Sequence, residues 1–320
     1  MAADMSVLLG DLGGTHLRLA LAKGGELASP ATYKISEFPD ITAVLDDYAK
    51  TSGAKNFTGY DFYLSHTGHI RGGSLTLDYK KTPWSFVLDD VRDKFGFAAL
   101  NAVNDLKAMA HAPLSKNRAL FKCFREAPGV AGTGAAIIGI GTGLGHAFLN
   151  GTYVHETYGG HFPPAAANDL QYDVIDVLRA NADRELIFED IVSGDGLFRI
   201  YKALAAINGT DAKAQNVADL IHMKDGDPLI TDAAKTFCGF AGLYAHILAN
   251  ATYSYNGIYL CGGVTERLSR AGLFSASDFI AQYHQAMVPV VDQSLRATPL
   301  YISENEYIAL YGLEVFANAA

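Results

Sequence analysis

The chain has 320 residues, 49% of them hydrophobic and 18% charged, with a formal net charge of -9. That length and composition predict a globular protein of about two lobes. An acidic balance with no basic run argues against nucleic acid or an anionic membrane surface as partner. Three widely spaced cysteines, Cys123, Cys238 and Cys261, fit neither a disulfide framework nor paired zinc ligands. No apolar run approaches the roughly 20 residues of a membrane span, and the N-terminus lacks a signal-like segment. A soluble, cytoplasmic protein is the expectation.

Residues 6–23 read as an apolar strand, a Gly-rich turn and an alternating strand in which Leu17, Leu19 and Leu21 share a face, which makes a hairpin. Residues 61–78 hold further strands broken by Gly-containing turns. A helix is predicted over about 86–95, a short strand ending in polar residues after it, and a helix over 104–113 with Asp105 near its start. Residues 134–156 repeat the device of strand, Gly-rich turn and strand, and add a further short strand. Two such units about 130 residues apart predict a duplicated domain plan. From about 165 to 250 the pattern is helical, with apolar residues at i, i+3 and i+4 in 169–180 and 236–251. Residues 257–264 give one more strand ending in a glycine turn.

Five segments carry chemistry. In Asp11-Leu12-Gly13-Gly14-Thr15-His16, glycines let backbone N–H groups approach phosphate oxygens, Thr15 adds a hydroxyl, and Asp11 is placed to act on a metal and its waters. An ordinary hairpin would use the same glycines. Gly139-Ile140-Gly141-Thr142-Gly143-Leu144-Gly145 follows a strand but lacks the Lys-Ser/Thr end of a Walker A loop. A strand, not a helix, comes after it, which sets it apart from the dinucleotide fingerprint. Two such turns facing each other would cradle a nucleoside triphosphate. Val103-Asn104-Asp105 offers a carboxylate that could accept a proton from an attacking hydroxyl, or a helix cap. Gly159-Gly160-His161 and Glu189 supply side chains able to grip sugar hydroxyls, although a histidine among aromatics also serves structure. Cys261-Gly262-Gly263-Val264 could admit a flat adenine or ribose, or simply turn a strand into a helix.

Taken in this order, the segments resemble the bacterial glucokinase family of the sugar kinase, Hsp70 and actin superfamily, from about residue 7 to 315. Asp11-Leu12-Gly13-Gly14-Thr15 with Arg18 matches that family's first phosphate loop, Gly141-Thr142-Gly143-Leu144-Gly145 the second, and Gly262-Gly263 its adenosine-side turn. The resemblance implies an α/β, two-lobed actin-like ATPase (ribonuclease H-like) fold, each lobe a mixed sheet flanked by helices with a cleft between them. The small lobe would span 1–108 plus a C-terminal helix at about 306–320, and the large lobe 109–305. It further implies ATP and Mg2+ as cofactors, a metal at Asp11, Asp105 as base, Asn104, His161 and Glu189 as sugar ligands, and a homodimer.

Two sugar-facing positions depart from the family. Tyr158 stands where the family has a Glu, with Glu156 two positions earlier, and the loop before Trp84 reads Tyr79-Lys80-Lys81-Thr82-Pro83 in place of the usual Thr-Asn. A site that loses a hydroxyl partner discriminates differently, so the acceptor is left open between glucose and another sugar, such as an amino sugar or sugar acid. A sugar-responsive regulatory protein with weak catalysis is the rival reading. The family's Cys-rich zinc branch is not matched.

Overall fold

The computed structural model describes residues 7–54, 56–77, 84–285 and 288–319, so residues 79–83 of the loop before Trp84 lie outside the described residues. The chain divides into two compact units, Met1–Arg118 with Tyr307–Ala320, and Ala119–Glu306.

The first unit opens with β1 (Val7–Leu12), β2 (His16–Lys23), β3 (Glu26–Lys34), α1 (Ile41–Thr51) and β4 (Asp61–His66). It continues through β5 (His69–Arg71), β6 (Ser74–Thr76), β7 (Ser85–Val87), α2 (Leu88–Phe95), β8 (Ala99–Asn104) and α3 (Asp105–His111). Its main sheet has the order β3-β2-β1-β4-β8. The first three strands are antiparallel neighbours, and β1, β4 and β8 run parallel. Strand β1 is buried along its whole length, as an apolar run between two strands must be. Leu8, Leu12, Leu17, Leu19, Phe62 and Leu64 line one face and pack with Val44, Leu45 and Tyr48 of α1. Asp40 caps α1 by accepting the Ala43 N–H at 3.0 Å.

The second unit runs through β9 (Lys122–Arg125), β10 (Ala135–Ile140), β11 (Leu144–Asn150), β12 (Tyr153–Thr157), α4 (Asp169–Ala180), α5 (Gly194–Ile207), α6 (Val217–His222) and α7 (Pro228–Thr252). Then come β13 (Ile258–Cys261), α8 (Gly263–Arg270), α9 (Ala276–Tyr283), α10 (Pro289–Ala297) and β14 (Leu300–Ile302). Its sheet has the order β12-β11-β10-β13-β14-β9. Again three antiparallel strands are followed by parallel partners, β13 and β14, and β9 closes the edge antiparallel. Apart from β9 the two sheets share one plan, which is the duplication expected from the paired Gly-rich hairpins. Ala136, Ile138 and Ile140 of β10 pack with Phe237, Phe240, Tyr244 and Leu248 of α7. Among the described residues no helix is long and apolar enough to cross a membrane.

The last helix, α11 (Ile308–Ala319), returns to the first unit. Its Ala309, Leu310 and Leu313 join Val7, Leu9, Ala20, Tyr63 and Ala108 on the second face of the first sheet. Contact with α3 depends on Gly312, where a β-carbon would lie 1.8 Å from the Ala108 carbonyl oxygen. Gly312→Ala therefore pushes α11 off α3 and lowers stability by about 1–3 kcal/mol, read as a lower urea midpoint with an unchanged slope.

Candidate active site

In the first unit the predicted residues gather at the carboxyl ends of the parallel strands, the position where open α/β sheets hold ligands. Asp11 is the penultimate residue of β1, directly across from Arg18 of β2 and Ser65 of β4. Its carboxylate accepts the Ser65 hydroxyl at 2.7 Å and an Arg18 guanidinium N–H at 3.3 Å. The row lies on the face shared with α3 and α11, because Asp11 keeps the alternation of Val7 and Leu9. Gly13, Gly14 and Thr15 form the turn into β2, closed by the Gly13 N–H on the His16 carbonyl at 3.0 Å. The Gly14 and Thr15 N–H groups have no acceptor among the described residues.

Asn104 ends β8 and Asp105 begins α3, two strands from β1 and hence ~10 Å away across the sheet. Of the two readings of this pair, the helix cap is the one seen at Asn104. Its side-chain oxygen accepts the Leu106 N–H at 2.9 Å, capping α3, while its side-chain amide keeps two donors to spend elsewhere. The Asp105 carboxylate also accepts the Leu106 N–H, at 2.8 Å.

In the second unit three predicted pieces meet on the backbone of Leu144, the first residue of β11. Its N–H donates to the Glu189 carboxylate at 2.8 Å. Its carbonyl oxygen would lie 2.0 Å from a β-carbon at Gly160, so the Gly159-Gly160-His161 turn rests on it. A β-carbon at Gly143 would stand 2.6 Å from a Glu189 oxygen, so the Gly141-Thr142-Gly143 turn is packed on the same carboxylate. The backbone bond from the Phe188 N–H to the Phe162 carbonyl, 2.9 Å, joins the Glu189 and His161 segments directly.

The adenosine-side turn follows β13, the parallel neighbour of β10. Gly262 has φ +102, and a β-carbon there would fall 2.5 Å from the Ile140 carbonyl oxygen, so only glycine fits. Gly263 then opens α8, and the Gly194 N–H at the start of α5 donates to the Gly141 carbonyl at 2.9 Å. Thr142, like Gly14 and Thr15, has an N–H with no acceptor among the described residues. Tyr158 is 86% exposed, its ring 5.9 Å from that of His161, which is also exposed. Glu156 sits on β12 opposite Ala147, on the other face of the sheet from Thr157.

Sequence reading passed over the residues that hold these groups still. Asp190, next to Glu189, is buried and accepts both Arg184 guanidinium nitrogens at 2.8 and 2.9 Å, Arg199 at 3.0 Å and the Ile187 N–H at 3.0 Å. Burial alone would raise its pKa, but Arg184, the Ile187 N–H and Arg199 outweigh it and hold the carboxyl below the usual range. His146 is the other omission. A lone imidazole among Leu144, Ala147 and Phe148 is the signal that could have flagged it, and burial holds its pKa down to about 4.

The sequence matches the family model described as Glucokinase over residues 8–320. It is 29% identical over 324 residues to the glucokinase of Marinobacter nauticus, covering 98% of this chain and 97% of that one. A crystal structure of glucokinase from an Antarctic psychrotroph aligns at a TM-score of 0.84 and 24% identity, covering 99% of both chains. A ROK family glucokinase from Streptomyces griseus, solved with glucose and AMPPNP, aligns at a TM-score of 0.63 and 15% identity, covering 98% of this chain and 100% of that one. These likenesses establish the actin-like ATPase fold that the resemblance implied.

The buried imidazole gives the protein an acid limb. Because folded His146 resists protonation down to about pH 4, the unfolded chain binds protons that the folded chain refuses as pH falls from about 6.5 to 4. Up to about 3 kcal/mol of stability is lost across that window. His284, held to about 4 by burial and by Arg125 and Arg296, adds to the same loss. Urea midpoints measured from pH 7.5 to 4 fall on the acid side, and less steeply in His146→Gln.

Proposed function

Since this chain belongs to the glucokinase family, we propose that it transfers the terminal phosphoryl group of ATP to the 6-hydroxyl of glucose, with Asp105 taking the proton of that hydroxyl. The observation that carries the reading is the family match across both units together with an intact Asn104-Asp105 pair at the carboxyl end of β8.

The donor set fits a nucleotide. The uncommitted N–H groups of Gly14, Thr15 and Thr142 suit phosphate oxygens, and Gly141 has open space where a side chain would stand. In this reading the turn through Gly262 and Gly263, held against the Ile140 carbonyl, is the adenosine side of the site. Asp11 supplies the hard oxygen that magnesium prefers, directly or through water, and Ser65 and Arg18 fix the orientation of its carboxylate. When bound, ATP with magnesium supplies the transferable group and neutralises its charge.

Asn104 donates to a sugar hydroxyl with the amide left over from capping α3. His161 contributes its ring nitrogens, and Glu189 a carboxylate whose position is set by the Leu144 N–H and by the Asp190 clamp behind it. Asp105 acts by position: its carboxylate accepts the hydroxyl proton as the new oxygen–phosphorus bond forms, and backbone N–H groups meet the charge on the transferring group. Tyr158 presents an aromatic face to the sugar. Three cysteines without disulfides fit a cytoplasmic enzyme, and a homodimer belongs to the same reading.

Asp105→Asn keeps the cap and the shape but removes the base. Its turnover in a coupled ADP-release assay with glucose falls by about 10²–10⁴, while the KM for ATP stays within twofold. Turnover retained within tenfold would refute the assignment of Asp105. Wild-type turnover of another hexose in preference to glucose would move the acceptor and leave the chemistry in place.

A further inference from the structure

We infer that His146 is a positioning residue for the acceptor-binding turn: its buried imidazole, acting through Thr157, sets the backbone that presents Tyr158 and His161. The inference rests on the reading that this turn grips the sugar. It assigns work to a group outside the turn that touches neither sugar nor nucleotide.

His146 lies two residues after Leu144 on β11, so both point to the same face of the sheet, the one covered by α7. It is 2% exposed. On one side the Tyr244 hydroxyl of α7 stands 3.1 Å from Nδ1. On the other, the Thr157 hydroxyl of β12 lies 2.9 Å from either ring nitrogen. Thr157 in turn accepts the Gly159 N–H at 3.1 Å. The turn is then closed by the His161 N–H on the Tyr158 carbonyl at 2.9 Å and the Phe162 N–H on the Gly159 carbonyl at 3.0 Å. An unbroken polar chain therefore runs from the core helix α7, through β11 and the end of β12, into the first N–H of the turn.

Contact reinforces the chain. A β-carbon at Gly159 would sit 2.2 Å from the imidazole Cε1 and 3.1 Å from the Tyr244 oxygen, so the turn's backbone lies directly on the ring. An aliphatic side chain could fill this space without the cost of desolvating an imidazole. What the ring adds is polar contact with hydroxyls from two neighbouring elements, and a satisfied buried network specifies one arrangement where apolar packing tolerates several. Burial keeps the ring neutral at physiological pH. Its effect is to keep Tyr158 and His161, both exposed and otherwise free to wander, in the geometry that a sugar meets.

The test uses His146→Ala, His146→Gln and Thr157→Val in the full chain, with two readouts. The first is hydrogen exchange of the Gly159, His161 and Phe162 amides without ligand, compared with amides of α7. The second is steady-state kinetics with glucose and ATP. His146→Ala and Thr157→Val are expected to speed exchange in the turn by about tenfold while α7 stays protected, and to raise the KM for glucose about tenfold with the KM for ATP within twofold. His146→Gln, whose amide can also donate and accept, is expected to stay within about threefold of wild type on both readouts. Unchanged exchange and an unchanged glucose KM would overturn the inference. So would equal rises in both KM values with exchange accelerated along α7, which would make His146 a core residue and nothing more. If His146→Ala fails to fold, Thr157→Val, which removes only the link to the turn, decides the matter. Should the wild type turn over no hexose, the functional reading fails by itself, and the exchange measurement still decides whether His146 orders the turn.

Discussion

The second unit's site is organised by a backbone, that of Leu144. With its N–H on Glu189 and its carbonyl against Gly160, the backbone of one residue sets the relative positions of a carboxylate, a glycine turn and the segment bearing His161. Backbone suits this task because β11 is hydrogen-bonded on both sides, to β10 and β12, and has no rotamers to lose. The glycines around it are consequences: a side chain at 143 or 160 would occupy the space of the group it is meant to position. In the first unit a side chain does the equivalent work, with Asp11 held between Ser65 and Arg18 from the neighbouring strands.

Both arrangements grow from the same sheet plan. An antiparallel hairpin places a tight turn at the end of a fully buried strand, and a parallel neighbour brings a second strand end beside it. In the first unit the neighbours carry Ser65 and then Asn104; in the second, β13 leads into Gly262. The repeated plan thus provides two Gly-rich turns and leaves the flanking strand ends to diverge. One acquires a carboxylate at the start of α3, the other a left-handed glycine at the start of α8.

What was legible in the sequence was local. The hairpins around Gly13 and Gly141 were readable because apolar alternation and glycine sit within twenty residues of each other, and the two copies of that pattern exposed the duplicated plan. The cap at Asn104 was readable for the same reason. The short strands β9 and β14 were not, since three or four residues show no period and they pair with partners far along the chain. Nor was the clamp of Arg184 and Arg199 on Asp190, because a helix–loop region is rich in such charges and only the fold selects which of them meet. His146, Thr157 and Tyr244 come from three elements spread over about a hundred residues, and no spacing rule connects them.

The return of α11 to the first unit has a consequence for biosynthesis. Ala309, Leu310 and Leu313 complete a core whose other members lie before residue 110, so at ordinary translation rates on the order of ten to forty seconds separate the two contributions. During that interval β1 and β4, the most buried strands of the first unit, lack the helix that covers one of their faces. The second unit, continuous from Ala119 to Glu306, can close without waiting. The half that emerges first is therefore the half that finishes last.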